Sequence, residues 1–234
     1  MVVGGGQLAQ VFHNYRDNDS VVIFASGVSN SSCTDQKEFD REKKLLETIL
    51  KDNSDKKFVY FSSCALSAED YPKNSYYAHK IQMESIIKKL SNKYFIIRLP
   101  QLFGNLKLHN TLINYIYHAI KSNNIMSVYS DAYRYVIEIE DVRTFVDSYL
   151  ANGALCSTID LANPYRYKIL EIIETFESLL NKKANTVIIQ KQDKYILDLS
   201  KLNRYIQENN INIEFGEDYL KNKLYEKIKK INSV

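Results

Sequence analysis

Phe58-Val59-Tyr60-Phe61-Ser62-Ser63-Cys64 opens the stretch that decides the fold, and Tyr76-Tyr77-Ala78-His79-Lys80 closes it. The apolar run at its start reads as a buried strand. A loop with Glu69, Asp70 and Pro72 follows, and from Tyr76 a helical pattern continues through Ile81, Met83, Ile86, Ile87 and Leu90. Tyr76 and Lys80 are four positions apart, so on a helix they share a face. An ammonium beside a phenol favours the phenolate, which predicts a Tyr76 pKa lowered from about 10. Ser63, at the end of the strand, is placed to hydrogen-bond the same substrate oxygen. The three side chains form a candidate proton-transfer site for alcohol and carbonyl chemistry. The plain alternative is a helix with a surface tyrosine and lysine.

Working outward, Met1-Val2-Val3 is a very short apolar start, and Gly4-Gly5-Gly6-Gln7-Leu8-Ala9 follows it. Gly4, Gly6 and Ala9 fit the Gly-x-Gly-x-x-Gly/Ala pattern of a dinucleotide-binding turn. The first glycine allows the tight turn, the second lets backbone approach a pyrophosphate, and the small third residue lets helix pack on strand. Residues 21–25 are a β-branched run ending in Ala25-Ser26-Gly27, and residues 94–99, 125–129, 157–162 and 186–189 also read as strands. Apolar residues at helical spacing mark helices within 38–51, 112–120, 142–150, 169–180 and 219–231. The charges between Glu38 and Lys51 read as a solvated face, as do the lysines of the last helix. Asp141 is placed as a helix N-cap. Strands alternating with helices of about 10–15 residues predict an α/β fold with a parallel sheet.

Composition narrows the function. The 234 residues suit one large domain, and 45% hydrophobic with 25% charged residues is an ordinary globular balance. A net charge of +3 is too small to argue for nucleic acid or an acidic membrane as partner. No apolar run approaches a membrane span, and no charged-then-apolar leader precedes the glycine turn. Cys33, Cys64 and Cys156 are far apart and odd in number, which points to a reducing, cytoplasmic compartment. His13, His79, His109 and His118 show no metal spacing and read as structural, so no metal is expected.

A serine at a strand end followed by Tyr-x-x-x-Lys on the next helix resembles the short-chain dehydrogenase/reductase superfamily. Three segments resemble its extended, nucleotide-sugar epimerase and dehydratase branch: Arg98-Leu99-Pro100-Gln101-Leu102-Phe103-Gly104, the 135–142 segment ending in Asp141-Val142, and Leu197-Asp198-Leu199-Ser200-Lys201-Leu202. The resemblance implies a single Rossmann-like domain over 1–234, with a mostly parallel sheet flanked by helices. A small C-terminal substrate-side cap is expected mainly from about residue 105 onward, interleaved with the core. It implies Ser63, Tyr76 and Lys80 as catalytic. Gly4, Gly6, Gln7, Leu8, Ala9, Ala25, Ser26, Gly27, Lys80 and Pro100 would contact NAD or NADP, and Ser63, Cys64, Gln101 and Arg134 would contact the substrate.

One departure is plain. Between Ala9 and Val21 there is room for only one short helix and a turn, where a complete Rossmann half places two further strands. The sheet is expected to be abbreviated at its adenosine-side edge, and the dinucleotide to bind weakly. The implied function is a nucleotide-sugar-modifying oxidoreductase or epimerase, similar to a 4-keto-sugar reductase and used in surface-polysaccharide synthesis. The partner is a nucleotide-linked sugar, and a homodimer is possible in this family. The alternative is a non-catalytic protein of the same fold that senses a dinucleotide or acts as a scaffold.

Overall fold

The computed structural model describes residues 1–106 and 111–233; His109 lies outside the described residues. The strands are β1 (Val2–Val3), β2 (Val21–Phe24), β3 (Lys57–Ser63), β4 (Tyr94–Leu99), β5 (Gln101–Phe103), β6 (Ile125–Arg134), β7 (Val136–Glu138), β8 (Ser157–Asp160), β9 (Tyr167–Lys168) and β10 (Asn185–Asp193). The helices are α1 (Gln7–Val11), α2 (Gln36–Asp52), α3 (Ser75–Leu90), α4 (Leu112–Ser122), α5 (Ile139–Asn152), α6 (Ile169–Leu180), α7 (Ser200–Glu208) and α8 (Tyr219–Asn232). Two compact units result. One holds Met1–Leu99, Arg143–Leu161 and Leu197–Ile211; the other holds Pro100–Val142, Ala162–Ile196 and the chain from Asn212.

The first unit is built on a five-stranded sheet in the order β1-β2-β3-β4-β8, parallel throughout. Its strands read as continuous apolar runs because both faces are covered. On one face Val22, Phe24, Phe58, Tyr60 and Ile96 pack with Leu46 and Leu50 of α2 and Met83 and Ile87 of α3. Residues of the other parity turn the opposite way: Phe61 stacks on Phe12, and Phe95 meets Tyr149 edge-on. Among the described residues β1 has one partner strand, β2, so the sheet ends where a complete Rossmann half would continue. The short link between Ala9 and Val21 is the cause. Arg98 of β4 makes a two-pronged bond to buried Glu84 of α3, Nε to Oε1 and Nη2 to Oε2, both at 2.8 Å.

In the second unit β6 pairs in parallel with β10 and antiparallel with β9, and β5 pairs in parallel with β7. Here the structure corrects two expectations. Asp141 is not an N-cap but lies in the first turn of α5, and its carboxylate accepts from Tyr219 Oη (2.6 Å) and Lys223 Nζ (2.8 Å). The capping acceptor is Glu138, which takes the Glu140 amide at 2.8 Å and pairs with Lys227 at 2.6 Å. Lys223 and Lys227 of α8 are therefore ion-pair partners rather than free solvated charges. Among the described residues no helix is long and apolar enough to cross a membrane.

Candidate active site

β3 carries Tyr60 in its middle and Ser63 at its C-terminal end, in extended backbone. A short turn, Cys64–Ser67, and a loop then lead to α3. Asn74 fixes where that helix starts: its side chain accepts the Tyr77 amide at 3.1 Å and donates to the Ser31 carbonyl at 3.0 Å. Tyr76 is thus set in the first turn and Lys80 one turn on.

The two side chains meet, but not as the sequence suggests. Tyr76 is 7% exposed, and Lys80 Nζ lies 5.8 Å from the centre of its ring. Burial pushes the Tyr76 phenol well above its ordinary pKa, and the nearby Tyr77, Glu42 and Cys64 push the same way. This overturns the expected lowering by Lys80, because the lysine's charge is already matched elsewhere.

That match is Glu42, in the middle of α2, with no exposed surface. One carboxylate oxygen, Oε1, accepts from Lys80 Nζ at 3.1 Å and from Tyr60 Oη at 2.8 Å. The other, Oε2, accepts from the Val28 amide at 2.7 Å and from His79 Nε2 at 2.9 Å. Lys80 Nζ also donates to Tyr60 Oη at 3.1 Å. His79 is stacked on Phe39, with ring centres 4.6 Å apart. Burial alone would raise the Glu42 carboxyl, but the bond from His79, the Lys80 ammonium, the Val28 amide and Tyr60 hold it down at about 2. Burial lowers the Lys80 pKa, and the Glu42 charge offsets part of that. Lys80 is 2% exposed. An uncompensated ammonium at such a depth costs several kcal/mol, so the pairing with Glu42 is a condition of the fold.

Glu42 lies within the charged run between Glu38 and Lys51 that reads as a solvated face, yet it is fully buried. The signal was its register. Phe39, Glu42, Leu46 and Leu50 are the buried positions of α2, spaced three, four and four residues apart, so Glu42 stands on the apolar stripe.

The glycine turn divides by role. Gly4 has φ +131°, and a Cβ on it would lie 2.4 Å from the Ala25 carbonyl oxygen, so the approach of the turn to the end of β2 needs glycine. At Gly5 and Gly6 a Cβ would meet nothing within 4 Å, and Gly6 precedes α1. Gln7 and Leu8 are half-buried and Ala9 is 2% exposed. Ala25 and Ser26 are half-buried, and the Ala25 amide donates to the Val3 carbonyl at 2.8 Å. Gly27 sits over the buried ion pair: a Cβ there would be 2.8 Å from Lys80 Nζ and 3.0 Å from Glu42 Oε1.

The remaining expected contacts are Cys64, Pro100, Gln101 and Arg134. Cys64 is fully buried, which leaves its thiol in the core. Pro100, Gln101 and Arg134 belong to the second unit. Gln101 donates its amide to the Tyr135 carbonyl at 3.2 Å. Arg134 forms an ion pair with Asp193 and also donates to the carbonyls of Tyr133 (2.8 Å) and Asp193 (3.1 Å). Among the described residues no group of three or more His, Cys, Asp and Glu could hold a metal ion.

No family model and no curated protein matches the chain. Solved structures do. A dTDP-4-dehydrorhamnose reductase from Clostridium acetobutylicum superposes with a TM-score of 0.75 at 15% identity, over 99% of this chain and 98% of that one. The dTDP-4-dehydrorhamnose reductase of Bacillus anthracis, solved with NADP, gives 0.73 at 18% identity, over 95% and 84%. The UDP-N-acetylglucosamine 4-epimerase of Bacillus cereus gives 0.73 at 17% identity, over 97% and 82%. The chain shares the Rossmann-like fold of these solved structures, and among the described residues its five-stranded parallel sheet ends at β1.

Proposed function

We propose that this protein is a cytoplasmic, dinucleotide-dependent enzyme that modifies a nucleotide-linked sugar, acting as a ketoreductase or epimerase of the kind used in surface-polysaccharide synthesis. The observation that carries the reading is the placement of Ser63 at the end of β3 and Tyr76 in the first turn of α3, in a fold shared with sugar reductases and epimerases.

The residues fit a dinucleotide at its pyrophosphate, because Gly5 and Gly6 leave the backbone of the turn open. They fit less well on either side. Among the described residues the sheet ends at β1 and no strand walls the adenosine, and Lys80 is already engaged by Glu42 and Tyr60. Binding is therefore weak. A bound nicotinamide supplies hydride exchange at a sugar carbon. Tyr76 supplies the proton: its hydroxyl donates to the carbonyl oxygen of a keto-sugar, and the Ser63 hydroxyl hydrogen-bonds that same oxygen. The raised Tyr76 pKa leaves the phenol protonated at neutral pH, as an ordinary tyrosine is, so the proton to be donated is in place. Gln101 and Arg134 are the residues proposed to contact the sugar nucleotide.

A second reading is a dinucleotide sensor or scaffold of the same fold, and the engagement of Lys80 favours it. Turnover separates the two. With a reduced dinucleotide and a nucleotide-linked 4-keto-sugar, the enzyme oxidises the dinucleotide, and Tyr76→Phe lowers the rate by about 10²–10⁴-fold without unfolding the protein. A rate within twofold of wild type would show that another group moves the proton, and no rate for either protein would favour the sensor.

A further inference from the structure

Lysine at position 80 has a partner that the dinucleotide would have to displace. Glu42 binds the ammonium directly, and Tyr60, which also bonds Glu42, binds it as well. The same carboxylate holds the Val28 amide, and so fixes the loop that follows β2. Gly27, in that loop, lies so close over the pair that even a methyl group there would contact both charged ends. The ammonium thus faces an anion, a phenol and a backbone turn, and it is 2% exposed. A lysine free to bond a ribose would instead point its ammonium at solvent or at an open cleft.

We propose that Glu42 is a positioning residue that withholds Lys80 from a bound dinucleotide, so that Lys80 adds nothing to the affinity of this chain for NAD(P)H. The proposal rests on the dinucleotide reading above. It makes an unusual demand: removing a buried, fully bonded carboxylate should tighten binding, whereas a purely structural carboxylate would leave it equal or weaker.

The test is isothermal titration of NADPH into wild type, Glu42→Gln and Lys80→Met, with thermal unfolding run alongside. Glu42→Gln removes the negative charge that holds the ammonium, which then gains more from a charge-assisted hydrogen bond to the dinucleotide than from a neutral amide oxygen, so it should bind about tenfold more tightly or better. Lys80→Met should stay within twofold of wild type. Folded Glu42→Gln that binds no more tightly than wild type overturns the proposal, as does folded Lys80→Met that binds tenfold more weakly. Should either single variant fail to fold, the double variant decides. It removes both charges together and leaves no lone buried ion. Binding within twofold supports the proposal, and a tenfold loss overturns it. No binding by wild type or any variant removes the dinucleotide reading itself, an outcome distinct from the others.

Discussion

Replacing Gly4 with alanine should separate the structural from the ligand-facing half of the glycine turn. Gly4 sits at φ +131°, where a non-glycine residue costs about 1–3 kcal/mol. The new Cβ would also stand 2.4 Å from the Ala25 carbonyl oxygen and 2.8 Å from its carbon, and neither backbone atom can turn aside. Relief requires β1 to move off β2, which endangers the Ala25 amide to Val3 carbonyl bond, worth about 1 kcal/mol. The sum is about 2–4 kcal/mol. In a chain of this size it should lower the midpoint of thermal unfolding by roughly 5–15 °C, followed by circular dichroism. Gly6→Ala is the control. Gly6 has φ −74° and open space around it, so the midpoint should move by no more than about 3 °C while dinucleotide binding weakens. A Gly4→Ala protein that melts with wild type, or a Gly6→Ala protein that melts as early as Gly4→Ala, would refute this division of the turn.

Three further expectations concern the buried charges and the sheet edge. Glu42 has a pKa in the folded protein of about 2, below its unfolded value. Its contribution to stability is therefore complete above the unfolded carboxylate pKa of about 4.3 and is lost as pH falls towards 2, amounting to a few kcal/mol that Glu42→Gln should remove from the acid limb of urea-unfolding curves. Arg98→Met would take from buried Glu84 its two-pronged cationic partner, leaving Lys88 at 3.4 Å as the nearest cation, and should cost about 3–5 kcal/mol in the same assay. With no strand beyond β1 among the described residues to bond the adenosine ribose, competition titrations should find NADH and NADPH within about tenfold of each other, since the missing bond is worth about 1.5–3 kcal/mol.

The parts of the fold legible in the sequence are those in which burial leaves a local mark. β2, β3 and β4 are covered on both faces, so each reads as an apolar run, and the order of Ser63, Tyr76 and Lys80 can be read along the chain. The abbreviated edge is legible too, because the distance from Ala9 to Val21 limits what can lie between them. What stayed hidden depends on meetings between distant elements. Glu42, His79, Lys80, Tyr60 and the Val28 amide come from α2, α3, β3 and a loop, and no spacing along the chain announces that they share one buried site. Along the chain Tyr76 and Lys80 read as an isolated couple, and the sign of the Tyr76 shift depends on burial and on Glu42, neither of which the spacing reveals. Asp141 was misplaced for a similar reason: its partners, Tyr219 and Lys223, lie about eighty residues further on.

Dinucleotide binding is the claim on which the functional account stands. The direct measurement is the fluorescence of reduced nicotinamide during titration of NADPH and NADH with the purified protein, repeated with Gly6→Ala. The account predicts a saturable change for both, in the weak range expected of a site without an adenosine wall, and a smaller response from Gly6→Ala. Fluorescence that stays flat for both dinucleotides up to millimolar protein would contradict it.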